Sequence, residues 1–244
     1  MMGLAARGRR ALGLVAALGV TLLAASVTGY ALVPPTPVNP GYDISFPQCG
    51  GAFPAQPYTV AVVGVNGGRP NTRNPCVGAE YRWARQVVDG KLGLYMNTAY
   101  GQSRSGPRTC GGDAGCQAYN YGYGAAVYAH DYAASQGARS ATWWLDVETG
   151  NRWSGDPRLN AWVVQGAIDG LSAQPDVAGV GAYSTGYQWN RIVGDYRPGI
   201  PSWVAGPVSL AGAALSCDPA SAFTGGSVAL VQYPGGRYDA DWAC

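Results

Sequence analysis

Four short runs of this chain, residues 59–65, 92–96, 141–146 and 180–183, are largely apolar from end to end, and segments of helical period separate them. A strand with one wet face alternates polar and apolar residues; a strand without that alternation is covered on both faces, as in a parallel sheet flanked by helices. The intervening segments fit that role. Tyr81, Ala84 and Val88 share one face of a helix predicted over 78–88, and a second helix is predicted over 117–136, closed by Gly137. Asp156-Pro157 reads as an N-cap followed by proline at the first helical position, opening a helix to about residue 171 with Ala161, Val164 and Ile168 on one face. A short helix is predicted over 186–193. Further strands are predicted at 41–45, 202–205 and 228–233, but beyond 193 the connections are glycine-rich and lack helical period. The pattern is that of an α/β chain: an irregular TIM-like (β/α) barrel of five βα units followed by mostly strands, spanning 41–244.

In such a barrel the chemistry gathers at the C-terminal ends of the strands, and that rule organises the acidic residues. Asp146 and Glu148 stand at i, i+2 at the end of the fourth strand. Residues so spaced point to one face, ~6.5–7 Å apart along the backbone. Such a pair can keep one carboxyl protonated while the other is ionised, as acid-catalysed cleavage of a glycosidic bond requires. Asp43 ends the first strand, and Asp239 and Asp241 follow the last predicted one. First and last strands are neighbours in a closed barrel, so these carboxyls are expected to converge over its mouth. Tyr95, Trp144, Tyr183, Trp203, Tyr233 and Trp242 supply aromatic faces of the kind that stack on sugar rings. Of the two acids on the fourth strand, Glu148 is expected in the less polar surroundings, raised in pKa and protonated, with Asp146 ionised beside it.

The ends and the charge narrow the partners. Arg7, Arg9 and Arg10 precede an apolar run from about residue 11 to 25, which reads as a cleaved secretory signal over 1–30; an uncleaved membrane anchor is the alternative. Residues 31–40 form a proline-rich spacer. The 16 basic and 14 acidic side chains of the whole chain fall to 13 against 14 once those three arginines are set aside. A basic face for nucleic acid is therefore not expected, and with charged residues only 12% of the chain a neutral glycan is the better partner. All six cysteines, Cys49, Cys76, Cys110, Cys116, Cys217 and Cys244, follow the leader. In an exported chain an even set reads as three disulfides. Of the fifteen possible pairings, the one joining sequence neighbours is preferred: Cys49–Cys76, Cys110–Cys116 and Cys217–Cys244. No Cys-x-x-Cys pair is present and the single histidine, His130, is expected on a helix surface, so no metal or other cofactor is predicted. The protein is expected to be secreted, extracellular or wall-associated, monomeric, and without a stable membrane partner.

Several short motifs in order, Gly41-Tyr42-Asp43-Ile44-Ser45, Leu145-Asp146-Val147-Glu148, residues 180–183 with Ser184-Thr185, Pro201-Ser202-Trp203-Val204-Ala205, and Val231-Gln232-Tyr233 with Tyr238-Asp239-Ala240-Asp241, resemble glycoside hydrolase family 25, the Chalaropsis-type lysozymes. The resemblance covers roughly 41–244. It implies an irregular five-βα, three-β barrel in a secreted muramidase acting on peptidoglycan. It implies Glu148 as general acid/base, Asp146 as the partner that orients the substrate acetamido group and stabilises positive charge, Asp43 and Asp239 as the further strand-end acids, and Gln232-Tyr233 as a pair on the cleft wall. Tyr95, Asn97, Tyr183, Trp203 and Asp241 complete the expected substrate-binding set. The chain departs from the family where the second strand runs into Val65-Asn66-Gly67-Gly68, where Asn97 stands in place of a frequent histidine, and where Asp241 replaces the usual asparagine. Three functions are therefore compatible: a retaining N-acetylmuramidase, a barrel that binds wall glycan without cutting it, and a hydrolase of another polysaccharide.

Overall fold

Residues 40–87 and 91–244 are described by the computed structural model of the chain. The expected leader, and the spacer apart from Pro40, lie outside them. Eight strands, β1 (Gly41–Ile44), β2 (Val60–Gly64), β3 (Lys91–Asn97), β4 (Thr142–Asp146), β5 (Gly179–Ser184), β6 (Ser202–Val204), β7 (Val228–Pro234) and β8 (Asp239–Ala243), close a barrel in sequence order. Strands β1 to β7 are parallel to their neighbours; β8 runs antiparallel to both β7 and β1. Five helices follow β2 to β6: α1 (Val77–Ala84), α2 (Ala114–Ser135), α3 (Pro157–Ser172), α4 (Gly186–Val193) and α5 (Leu210–Leu215).

The expected barrel is thus present, with three corrections. The segment 239–243, read as a tail after the last strand, is itself the eighth strand and closes the barrel between β7 and β1. The fifth βα unit is β6–α5, in a stretch read as having no helical period, whereas β1 is followed only by a 3-10 turn. His130 is 7% exposed and not on the surface. It lies on the buried face of α2, its ring centroid 5.9 Å from that of Trp143, with Nε2 2.8 Å from Asp176.

Strand alternation divides the core into two compartments. Trp143, Leu145 and Val63 face outward and pack with the inner faces of the helices, including Ala126, Val164 and Leu171. Val60, Val62, Trp144, Trp203 and Leu230 face inward and fill the barrel. The interior is crowded enough that side chains must be absent at chosen points. A Cβ on Gly181 would come within 2.2 Å of the Trp144 ring and 2.9 Å of the Pro201 carbonyl, so β5 makes room for the indole on β4. Gly64 does the same for Tyr95, whose ring would meet a Cβ there at 2.6 Å. Trp144 is therefore a deep packing residue and Trp242 packs in the outer core, so neither is the sugar platform expected of it.

The helix starts are fixed by caps. Asp156 accepts from the Arg158 N–H with Pro157 at the first position, as predicted, and Asp113 and Thr185 cap α2 and α4 through the N–H groups of Cys116 and Gln188. All three disulfides join the expected partners, Cys49–Cys76, Cys110–Cys116 and Cys217–Cys244. No helix among the described residues is long and apolar enough to cross a membrane.

Candidate active site

At the C-terminal ends of the parallel strands a cavity of about 150 Å³ opens into the barrel. Its walls carry Asp43 from β1, Tyr95 from β3, Asp146 from β4 with Glu148 just beyond it, Tyr183 from β5, Gln232 from β7 and Asp239 from β8; the indole of Trp203 forms the floor. The inward register produces this ring. Asp146 pairs with Tyr183 across β4 and β5, and Asp43 pairs with Asp239 across β1 and β8. Because β8 runs antiparallel, its first residue stands at the mouth. Asp239 therefore reaches the same end as the strand-terminal acids, as anticipated, though from the start of a strand.

The polar contacts make one connected network. Tyr183 donates its hydroxyl to Gln232 Oε1 at 2.7 Å, and Gln232 Nε2 donates to Asp43 at 2.8 Å. Asn97 does not line the cavity; its amide donates to Asp146 Oδ2 from behind, and its own backbone is clamped by Asn66. Thr98 Oγ1 donates to the Asp146 carbonyl, which fixes the strand end. Asp146 Oδ1 is buried with no hydrogen-bond partner among the described residues. Beyond the strand, Gln188 of α4 reaches Glu148 Oε1 at 3.5 Å and accepts from Thr149. Gln188 was not foreseen. Its only signal in the sequence is its place in the first turn of a helix opening directly after a strand end. Two exposed aromatics on the same face, Phe46 after β1 and Tyr187 in α4, were also passed over.

Besides Asn97, two further predicted residues are placed off the cavity. Tyr233 follows Gln232 and so points to the opposite side of β7, into the outer core; of the expected Gln-Tyr pair only Gln232 faces the cavity. Asp241 is 1% exposed and lies beneath the cavity, with Trp203 Nε1 donating to its Oδ1 at 2.8 Å.

Charge is segregated here. Ion pairs among the described residues involve only His130, Asp131, Asp176, Arg139, Asp156 and Arg158, so no cation pairs with any carboxyl of the cavity. Burial pushes Asp43 up to about 7, partly offset by the Gln232 hydrogen bond, with the Asp239 charge adding to it. Burial also holds Asp146 well above the usual carboxylate range, reinforced by Glu148 and Asp43. The expected ordering of the pair is corrected by this. Glu148 is half-exposed and Asp146 is 5% exposed, so the less polar surroundings belong to Asp146. The reason is geometric: on a strand leaving the barrel, the earlier of two same-face residues sits deeper. Asp146 therefore favours its protonated form, in a cavity whose lining carries no cation. No group of three or more His, Cys, Asp or Glu among the described residues is arranged to hold a metal ion.

No family model matches the chain, and no curated protein matches its sequence. Solved structures do resemble it. The muramidase from Acremonium alcalophilum superposes with a TM-score of 0.52 at 16% identity, over 84% of this chain and 93% of that one. The bacterial lysozyme from Streptomyces coelicolor gives 0.50 at 18% identity, over 84% and 91%. For the catalytic domain of endolysin ply40 from bacteriophage P40 of Listeria monocytogenes the TM-score is 0.48 at 18% identity, over 85% and 93%. At such identities the likeness is one of fold, that of a closed eight-stranded barrel.

Proposed function

We propose that this chain is a secreted glycosidase that cleaves the glycan strand of peptidoglycan, of N-acetylmuramidase type. The observation that carries the proposal is the cavity at the strand ends, where Asp146 and Glu148 stand together with no cation to neutralise them. Its occurrence in a barrel that resembles a muramidase and a lysozyme supports the substrate class.

In this mechanism the transferable proton rests on the buried Asp146 before the substrate is engaged. Glu148, the outer and more accessible member, meets the glycosidic oxygen. As the bond breaks, the proton passes through Glu148 to the leaving oxygen, and Asp146 becomes the anion beside the developing positive charge. The substrate's acetamido oxygen attacks the anomeric carbon. Asp146, ionised once it has passed on its proton, stabilises the acetamido group as positive charge spreads onto it. Water then opens the oxazolinium ring, Glu148 removes its proton, and configuration is retained, a substrate-assisted variant of the two-carboxylate scheme. Tyr183 and Gln232 hold Asp43 in orientation on the opposite wall.

The test is release of reducing ends from purified peptidoglycan. Glu148→Gln should abolish turnover while glycan binding persists, and Asp146→Asn should cut turnover severely by removing both the proton and the later charge. Cleavage by Glu148→Gln at the wild-type rate would show that Glu148 is not the acid. A wild-type protein that pulls down peptidoglycan without cutting it supports a binding barrel instead, and one that cuts only other polysaccharides moves the substrate class.

A further inference from the structure

We infer that Asp241 is a neutral carboxylic acid built into the barrel as a hydrogen-bond bridge from Trp203 to Asp43, and that it positions Asp43 without touching substrate. Asp241 is sealed under the cavity at 1% exposure. One of its oxygens accepts from Trp203 Nε1 at 2.8 Å. The other, Oδ2, is buried and meets no donor among the described residues. A second carboxyl adjoins the residue: Asp43 and Asp241 interact through their side chains, and Asp43 already accepts from Gln232 Nε2. Two carboxylates cannot bridge each other without a proton, whereas a proton on Asp241 Oδ2 satisfies the orphaned oxygen and supplies Asp43 with a second donor.

The surroundings assign that proton to Asp241. From β1 it faces Asp43, from β7 its register partner Gln232, from β6 Trp203, and on its own strand Asp239, while the Tyr233 hydroxyl on the other side of β7 feels its charge. Among the described residues no lysine or arginine pairs with any of them. An ionised Asp241 would be an uncompensated charge in the interior, which is costly, whereas Asp43 opens to the cavity and its solvent. Burial raises Asp241 well above the ordinary carboxylate value, and its hydrogen bond lowers Asp43, consistent with Asp241 as the donor. The chain of contacts then runs from the floor indole through a neutral acid to the wall carboxyl. The consequence for turnover rests on the glycosidase reading; the bridge itself does not.

The test is a carbon-13 carboxyl titration of the full chain, alongside Asp241→Asn and Asp241→Leu. Asp241 should remain protonated through the pH at which Asp43 ionises. Asparagine keeps an acceptor for Trp203 and a donor for Asp43, so the Asp43 midpoint should stay in place in Asp241→Asn. Leucine removes the donor, so the midpoint should rise. If Asp241 is instead ionised, Asp241→Asn removes a neighbouring negative charge and lowers the Asp43 midpoint by about one pH unit or more. That result overturns the inference, as would identical Asp43 midpoints in the asparagine and leucine variants. The titration needs no turnover, so it separates failure of the bridge from failure of the proposed activity.

Discussion

Glu80 offers a clean measure of what a buried carboxyl costs this fold. It sits on α1 with no exposed surface, and Asn74 Nδ2 donates to its Oε2 at 2.5 Å while Oε1 has no partner. The same Asn74 donates to the Gly64 carbonyl at the end of β2, so the pair fastens α1 to a strand that runs up to the cavity. Burial pushes Glu80 from its ordinary 4.5 to about 7, with the Asn74 bond pulling the other way. Because the folded value is the higher one, Glu80 adds no penalty below pH 4.5 and a growing one up to pH 7. At ~1.4 kcal/mol per pH unit that gap amounts to about 3 kcal/mol by pH 8. For a domain of this size it corresponds to roughly 6–12 °C in Tm. Glu80→Gln removes the titration but keeps the acceptor for Asn74. Its amide still lacks one partner, a cost that is the same at every pH, so the informative quantity is the change in the Tm difference between pH 4 and pH 8. Thermal melts followed by circular dichroism should show Glu80→Gln gaining most of that range on wild type over the interval. The acids of the cavity are common to both proteins and cancel. A Tm difference that is constant with pH would refute the reasoning.

Two other outcomes follow from the interior packing and the crosslinks. Gly181→Ala should lower the denaturant midpoint by the equivalent of about 1–3 kcal/mol, because the new methyl meets the Trp144 ring and a backbone carbonyl that cannot yield; an unchanged midpoint would contradict the glycine's role in admitting the indole. Replacing Cys217 and Cys244 together with serine should cost about 3.5 kcal/mol for a loop of 27 residues in the chain-entropy model, read as a fall in Tm, and equal Tm values with and without the bond would argue against it.

The parts of this molecule that were legible in its sequence are those set by local covering. Residues 59–65 and 141–146 lack alternation because helices lie on one side and a filled barrel on the other, and both are strands. The Asp-x-Glu spacing located the cavity because a strand fixes same-face neighbours. What stayed hidden depended on depth and on neighbours remote in sequence. The segment 239–243 carries two acids at inward positions, so it reads as a polar tail; only Asp43 on the adjoining strand and Trp203 across the barrel give those acids a place inside a strand. The relative burial of Asp146 and Glu148 follows from how far β4 projects before it leaves the barrel, which no residue pattern records. His130 looked like a surface residue because its partners, Trp143 and Asp176, come from elsewhere in the chain.

The reversed direction of β8 also decides which way the molecule can be held. Strand β1 enters from Pro40 at the end away from the cavity, and β8, running the other way, brings the chain back to that end, where the Cys244 N–H donates to Ala229 near the start of β7. A parallel eighth strand would deliver the chain at the rim of the cavity. Here Pro40 and Cys244 both stand at the back of the barrel, so the face that carries the cavity is left clear of either.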